Sequence, residues 1–174
     1  AIAAGCASVI KPSEFSPLQA RVVTEALHEA GLPAGAVNVL LGRGGGVGDG
    51  IATHPALARI SFTGSTATGK LIARAGLETL KRVSLALSGK SATVVLDDAD
   101  LATVLPMALG AAFMNNGQAC VAGTRLLIPN ARMAQAIEGL RVAAAAMRVG
   151  DPRDPATAVG PLASKAQFER VQRF

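Results

Sequence analysis

The residues best suited to chemistry lie in the segment NNGQACVAGTR, Asn115 to Arg125, with Cys120 at its centre. A structural cysteine more often sits within an apolar periodic run. Cys120 instead follows such a run and stands where the chain turns, among small, polar and glycine residues, a setting for a reactive thiol. Upstream, FTGSTATGK places Gly64 and Ser65 between the end of a strand and the start of a helix. Free backbone N–H groups, the positive end of the helix dipole and a serine hydroxyl favour an anion there. KPSE places Lys11 and Glu14 on the loop after another strand end. A carboxylate in that position can accept both hydroxyls of a ribose and repel a 2′-phosphate, so Glu14 favours NAD over NADP. Gly42, Gly44 and Gly48 follow a further strand as a phosphate-binding turn would, although their spacing is not the dinucleotide fingerprint.

Each feature has an ordinary counterpart. Ser65 or Thr66 suits a helix N-cap, Lys11 and Glu14 suit a surface ion pair worth little, and glycine-rich loops are common. Three such loops after three successive strands favour a nucleotide site, because ligands of open α/β sheets gather outside the C-terminal ends of the strands.

The elements that must position these residues follow from the hydrophobic pattern. Ala7 to Ile10 reads as a short strand. Ser16 and Pro17 open a helix running to about Ala30, closed by Gly31 with Pro33 beyond. Val37 to Leu41 is the next strand, and a short helix begins within or after GRGGGVGDG. Arg59 to Phe62 is a third strand, followed by a helix from about Thr66 to Ala75. This alternation predicts a parallel sheet in an α/β fold. The rhythm then changes: strand-like runs at Val83 to Leu87 and Ala92 to Leu96 flank SGKS, and Asp100 opens a helix carrying Leu101 to Met114. After the cysteine loop come a strand at Arg125 to Ile128, an alanine-rich helix over Ala131 to Met147, a Pro/Gly-rich loop and a helix restarting near Ala163. A domain boundary is expected near Ser88.

Composition narrows the function classes. The chain has 174 residues, half of them hydrophobic, which is enough for one domain with a core or parts of two. Its net charge is +5 with no basic block, and it has no Trp or Tyr and only five Phe. Stacking platforms for nucleic acid are therefore poorly supplied, and no nucleic-acid partner is expected. A basic surface can still draw in an anionic cofactor. No apolar run approaches bilayer length, so no membrane partner is expected. The opening AIAAGCASVI lacks a basic stretch before it and does not read as a signal peptide. It begins as if in mid-element, as a piece of a longer chain would. The two cysteines, Cys6 and Cys120, have no metal-ligand spacing, so no metal site is expected, and reduced thiols in a cytoplasmic setting are the simplest reading.

The motifs AAGCASVIKPSE, GLPAGAVNVLLGRGGGVGDGIATHP, ISFTGSTATGK, LSGKSATVVLDDADL, NNGQACVAGTR and GDPRDPATAVGPL, in this order and spacing, resemble the middle part of an aldehyde dehydrogenase of the NAD(P)-dependent superfamily. The resemblance covers nearly the whole chain. It implies a Rossmann-like parallel sheet, the second half of a cofactor domain over residues 1–88, joined to the first part of an α/β catalytic domain over residues 89–174. It implies Cys120 as the nucleophile, whose thiolate attacks a small-molecule aldehyde and is left as a thioester. The oxyanion is then held by the Cys120 N–H and by an asparagine that the family carries upstream of these residues. Lys11 and Glu14 are implied at the adenosine ribose of NAD, Ser65 with Gly64 at the pyrophosphate, and Gly42 near the adenine. A homo-oligomer is the assembly the family implies.

One departure bears on mechanism. Hydrolytic members of the family carry a glutamate in a Glu-Leu-Gly-Gly-Lys segment, which activates the water that cleaves the thioester. This chain reads Ala86-Leu87-Ser88-Gly89-Lys90. Ala86 has no proton acceptor, and general base catalysis contributes about 100- to 10,000-fold, so deacylation by water is expected to be slow. Asp97, Asp98 and Asp100 read as a turn and helix cap rather than as a substitute base. Three origins of Ala86 stay open: an engineered trap for the thioacyl intermediate, a natural degenerate member, or transfer of the acyl group to an acceptor other than water. A nucleotide-binding remnant without catalysis is the competing function.

Overall fold

The structure, a computed structural model, describes residues 1–174, which divide into two compact units, Ala1–Leu87 and Ser88–Phe174. In the first, β1 (Ser8–Ile10) leads through α1 (Pro17–Glu29) to β2 (Val37–Val39), which lies parallel to β1 with Ser8 opposite Val37 and Ile10 opposite Val39. Pro17 takes the first helical position, where its missing N–H would have no partner in any case. Ser16 occupies the N-cap, but its hydroxyl makes no cap bond. Gly31, at φ 80°, closes the helix in the left-handed region that glycine adopts without strain. The second strand is shorter than its hydrophobic run. The Leu40 N–H still donates to the Ile10 carbonyl (2.9 Å), and then the chain turns away at Gly42.

The glycine run Gly44–Gly48 winds into a π-helical turn that continues into α2 (Asp49–Thr53). Then β3 (Arg59–Thr63), α3 (Thr66–Leu77) and β4 (Arg82–Ala86) form a second βαβ unit, parallel and in register from Arg59 opposite Arg82 to Thr63 opposite Ala86. Two glycines let α3 lie close against this pair: a Cβ on Gly69 would stand 2.7 Å from Leu87 Cδ2, and one on Gly76 2.7 Å from Val83 Cγ2.

In the second unit, β5 (Ala92–Val94) and β6 (Arg125–Leu127) pair in parallel with α4 (Leu101–Gly117) between them. The expected helix over Ala131 to Met147 resolves into a 3-10 turn, Asn130–Arg132, followed by α5 (Met133–Ala146). After the Pro/Gly-rich loop, closed by a bridge between Val149 and Val159, Ser164 caps α6 (Lys165–Val171) by accepting from the Gln167 N–H. The three ladders are each two-stranded and all parallel. No helix is long and apolar enough to cross a membrane.

The core of the second unit sits between α4 and α5. Leu105 is 2% exposed and Ala136 fully buried, packed with Val95 and Leu101. Small residues on α5 allow this approach, since a Cβ on Gly139 would stand 2.6 Å from Leu105 Cδ1. Leu105→Ala should therefore lower stability by about 2–5 kcal/mol through lost burial and a residual cavity, read as a reduced midpoint in urea unfolding.

Candidate active site

In a parallel pair, the two C-terminal ends lie at the same edge, so the loops that leave them meet. The loops leaving β1 and β2 are joined by two long-range bonds. Lys11 Nζ donates to the Gly42 carbonyl at 3.2 Å, as well as to the adjacent Pro12 carbonyl at 2.6 Å. The Gly44 N–H donates to Glu14 Oε1 at 2.8 Å. Lys11 and Glu14 also face each other at 3.8 Å. Lys11, Glu14 and Gly42 thus form one cluster, in which Lys11 works as a staple between loops and Glu14 remains partly open to solvent. The Glu14 carboxyl is held below the ordinary glutamate range, first by its own backbone N–H and then by that of Gly44, with the Lys11 charge adding to both. Gly42 is required by crowding, because a Cβ there would overlap the Val47 side chain, whereas Gly44, Gly45 and Gly46 face open space.

The loops leaving β3 and β4 meet in the same way. Gly64 donates its N–H to the Ala86 carbonyl at 3.1 Å. A side chain on Gly64 would strike the Phe62 ring, with Cζ only 2.5 Å from its Cβ. Ser65 is the N-cap of α3: its Oγ accepts from the Thr68 N–H at 3.2 Å and shares a hydrogen bond with Thr68 Oγ1 at 2.9 Å. The cap expected of Ser65 is therefore present, and Gly64, Ser65 and Ala86 stand together at one strand edge. No bond joins this group to the Lys11–Glu14–Gly42 cluster.

In the second unit, the loops leaving β5 and β6 are joined by Arg132, whose Nη1 donates to the carbonyls of Asp97 (2.9 Å) and Ala99 (2.6 Å). Asp100 caps α4 through the Ala102 N–H (3.1 Å) and takes a bond from the Thr103 hydroxyl (2.6 Å). The hydroxyl first and the Ala102 amide second hold the pKa of its carboxyl below the usual range. Asp100 is thus occupied as a helix cap.

Cys120 belongs to the opposite edge, where chain runs into the strands rather than out of them. It is a free, exposed thiol, as is Cys6. Its backbone N–H makes no hydrogen bond within the chain, which leaves a donor beside the sulfur. The segment leading into β5 lies alongside: a Cβ on Gly89 would stand 3.7 Å from the Cys120 carbonyl oxygen, and the Arg125 N–H donates to the Ser91 carbonyl at 3.1 Å. Upstream, α4 stops being right-handed at Met114, and Asn115 (φ 50°), Asn116 (φ 58°) and Gly117 (φ 72°) all adopt the left-handed conformation. Asparagine and glycine are the residues that tolerate it best.

The sequence matches the aldehyde dehydrogenase family over residues 1–174. The chain belongs to that family. It is 44% identical over all 174 residues to geranial dehydrogenase of Castellaniella defragrans, of which it covers 36%. A solved structure of a cysteine-to-alanine mutant of aldehyde dehydrogenase C from Pseudomonas syringae, in complex with NAD+ and octanal, superposes with a TM-score of 0.94 at 45% identity, covering 99% of this chain and 36% of that one. PnpE in complex with nicotinamide adenine dinucleotide gives 0.93 at 43% identity, covering 99% and 35%. The chain thus spans about a third of the length of the relatives it matches.

Sequence reasoning missed two features of the family's loops as they occur here. One is the Gly44 amide on Glu14, which only the pairing of β1 with β2 brings into reach. The other is the set of bonds made by Asn116 and Gln118, for which the run Asn-Asn-Gly was a signal of left-handed backbone only. The first can be checked by titration. The Gly44 amide proton should shift with a midpoint below about 4.3, the ordinary glutamate value, and Glu14→Gln should abolish the titration. The sign follows from the depressed pKa. The bond is fully present above the ordinary value and is lost as pH falls through the lower value of the folded state.

Proposed function

We propose that this chain supplies the nucleotide-binding loops and the nucleophile of an NAD-dependent aldehyde oxidation, with Cys120 as the catalytic thiol. Residues 1–88 then belong to the cofactor domain and 89–174 to the catalytic domain. The observation that carries the reading is the exposed Cys120 thiol beside its own unbonded N–H, in a family whose member from Pseudomonas syringae was crystallised with NAD+ and an aldehyde.

The residues present fit a dinucleotide. Glu14 offers a carboxylate at a strand edge with glycines beside it that face open space, suited to ribose hydroxyls, and the N-terminus of α3 at Ser65 suits a pyrophosphate. When bound, NAD+ supplies the acceptor for hydride. The Cys120 sulfur attacks the carbonyl carbon, forming a carbon–sulfur bond while the carbonyl electrons move to oxygen. The Cys120 N–H stabilises that oxyanion. After the hydride departs, an acyl group remains on Cys120 as a thioester.

Release of the acyl group to water needs a base. At the family's base position this chain has a methyl group, Ala86, so acylation outruns hydrolysis. Stopped-flow mixing of the full-length protein with NAD+ and octanal should give a burst of NADH followed by a slow steady rate. Cys120→Ser should abolish the burst, and absence of the burst in the unsubstituted protein, with Cys120 unmodified, would sink the proposal. Ala86→Glu should raise steady-state turnover by about 100- to 10,000-fold. Cofactor choice rests on Glu14: Glu14→Gln removes the charge that repels a 2′-phosphate, so the ratio of kcat/KM for NAD+ over NADP+ should fall by about tenfold.

A further inference from the structure

The loop that presents Cys120 is held at a distance by two side chains that precede it. The Gly160 N–H donates to Asn116 Oδ1 at 2.8 Å, and Asn116 Nδ2 donates to the Pro161 carbonyl at 3.4 Å. The Ala163 N–H donates to Gln118 Oε1 at 2.9 Å. All three bonds run to one extended segment, residues 160–163, more than forty positions away. That segment is itself fixed at its start: the Gly150 N–H donates to the Val159 carbonyl at 3.1 Å, and the Ala158 and Val159 N–H groups to the Arg148 carbonyl at 2.8 and 3.1 Å. A Cβ on Gly160 would stand 3.4 Å from Asn116 Nδ2, so the strap passes close over the asparagine.

Between these bonds and the cysteine the chain has little support of its own. Helix geometry ends at Met114, and no backbone donor from Ala119 or Cys120 is engaged. The left-handed run sets where the loop points, and left-handed backbone in non-glycine residues persists only where its surroundings hold it. We infer that Asn116 and Gln118 are positioning residues for Cys120, aiming its thiol by tethering the loop to the Gly160–Ala163 strap. The inference rests on the assignment of Cys120 as nucleophile, and it adds residues that act through the loop. A misaimed nucleophile loses rate in the bond-forming step without losing reactivity toward an unaimed reagent.

The substitutions separate tether from backbone. Asn116→Gly keeps the freedom to be left-handed and deletes both side-chain bonds, whereas Asn116→Asp keeps the acceptor for Gly160. Gln118→Ala deletes the bond from Ala163. In the full-length protein with NAD+ and octanal, Asn116→Gly and Gln118→Ala should slow the NADH burst by about tenfold with KM for NAD+ unchanged, while Asn116→Asp restores most of the rate. Alkylation of Cys120 by iodoacetamide, referenced to Cys6 by peptide mass, should stay equal or become faster. A burst within twofold of the unsubstituted rate, or burst and alkylation falling together, would overturn the positioning role. If the unsubstituted protein shows no burst, the catalytic reading fails and amide exchange decides the tether. Exchange at Gly160 and Ala163 accelerated more than tenfold in Asn116→Gly and Gln118→Ala respectively supports the tether, and unchanged exchange overturns it.

Discussion

Parallel strands cannot be closed by a tight turn, and most of what this chain does follows from that constraint. Each of its three ladders needs a crossover, supplied by α1, α3 and α4 in turn. The loops leaving both strands of a pair then fall at one edge, where a few polar contacts lock them. Lys11 and Glu14 lock the first pair, Gly64 and Ala86 the second, Arg132 the third. None of these contacts is strong, since exposed hydrogen bonds and ion pairs contribute little individually. Their effect is to fix positions already dictated by the crossover.

The same constraint sorts the loops by the end of the strand they adjoin. The Lys11–Glu14–Gly42 cluster and the turn at Gly64 and Ser65 stand where chain leaves β1, β2 and β3. Cys120 stands where chain approaches β6, on the crossover rather than at its end. That loop lies beside the segment leading into β5 but shares with it only the bond from the Arg125 N–H to the Ser91 carbonyl. It must find its anchor elsewhere, and here it finds one in residues 160–163.

Much of this was legible in the sequence. All the strands and the long helices fell close to their hydrophobic runs, and Gly31, Pro17 and Asp100 marked helix ends through their own backbone and capping chemistry. The reading of Cys120 at a turn came from the composition around it. Strand lengths were less accessible: the apolar runs at Val37 to Leu41 and Ala92 to Leu96 extend past the paired residues, and Leu40, Leu41 and Leu96 there stand exposed, because a ladder ends where its neighbour ends and not where apolar residues do. The Lys11–Gly42 and Asn116–Gly160 bonds were out of reach altogether. They join residues 31 and 44 positions apart, and no local pattern encodes which carbonyl a lysine will meet.

The contact between Gly139 and Leu105 bears on how this sequence can drift. Leu105 is buried, and a Cβ at position 139 would stand 2.6 Å from its Cδ1. A methyl group at position 139 therefore requires Leu105 to shift its side chain or to give way to a smaller residue. Among relatives that keep the two helices this close, the two sites should change together, so an alignment would show their covariation.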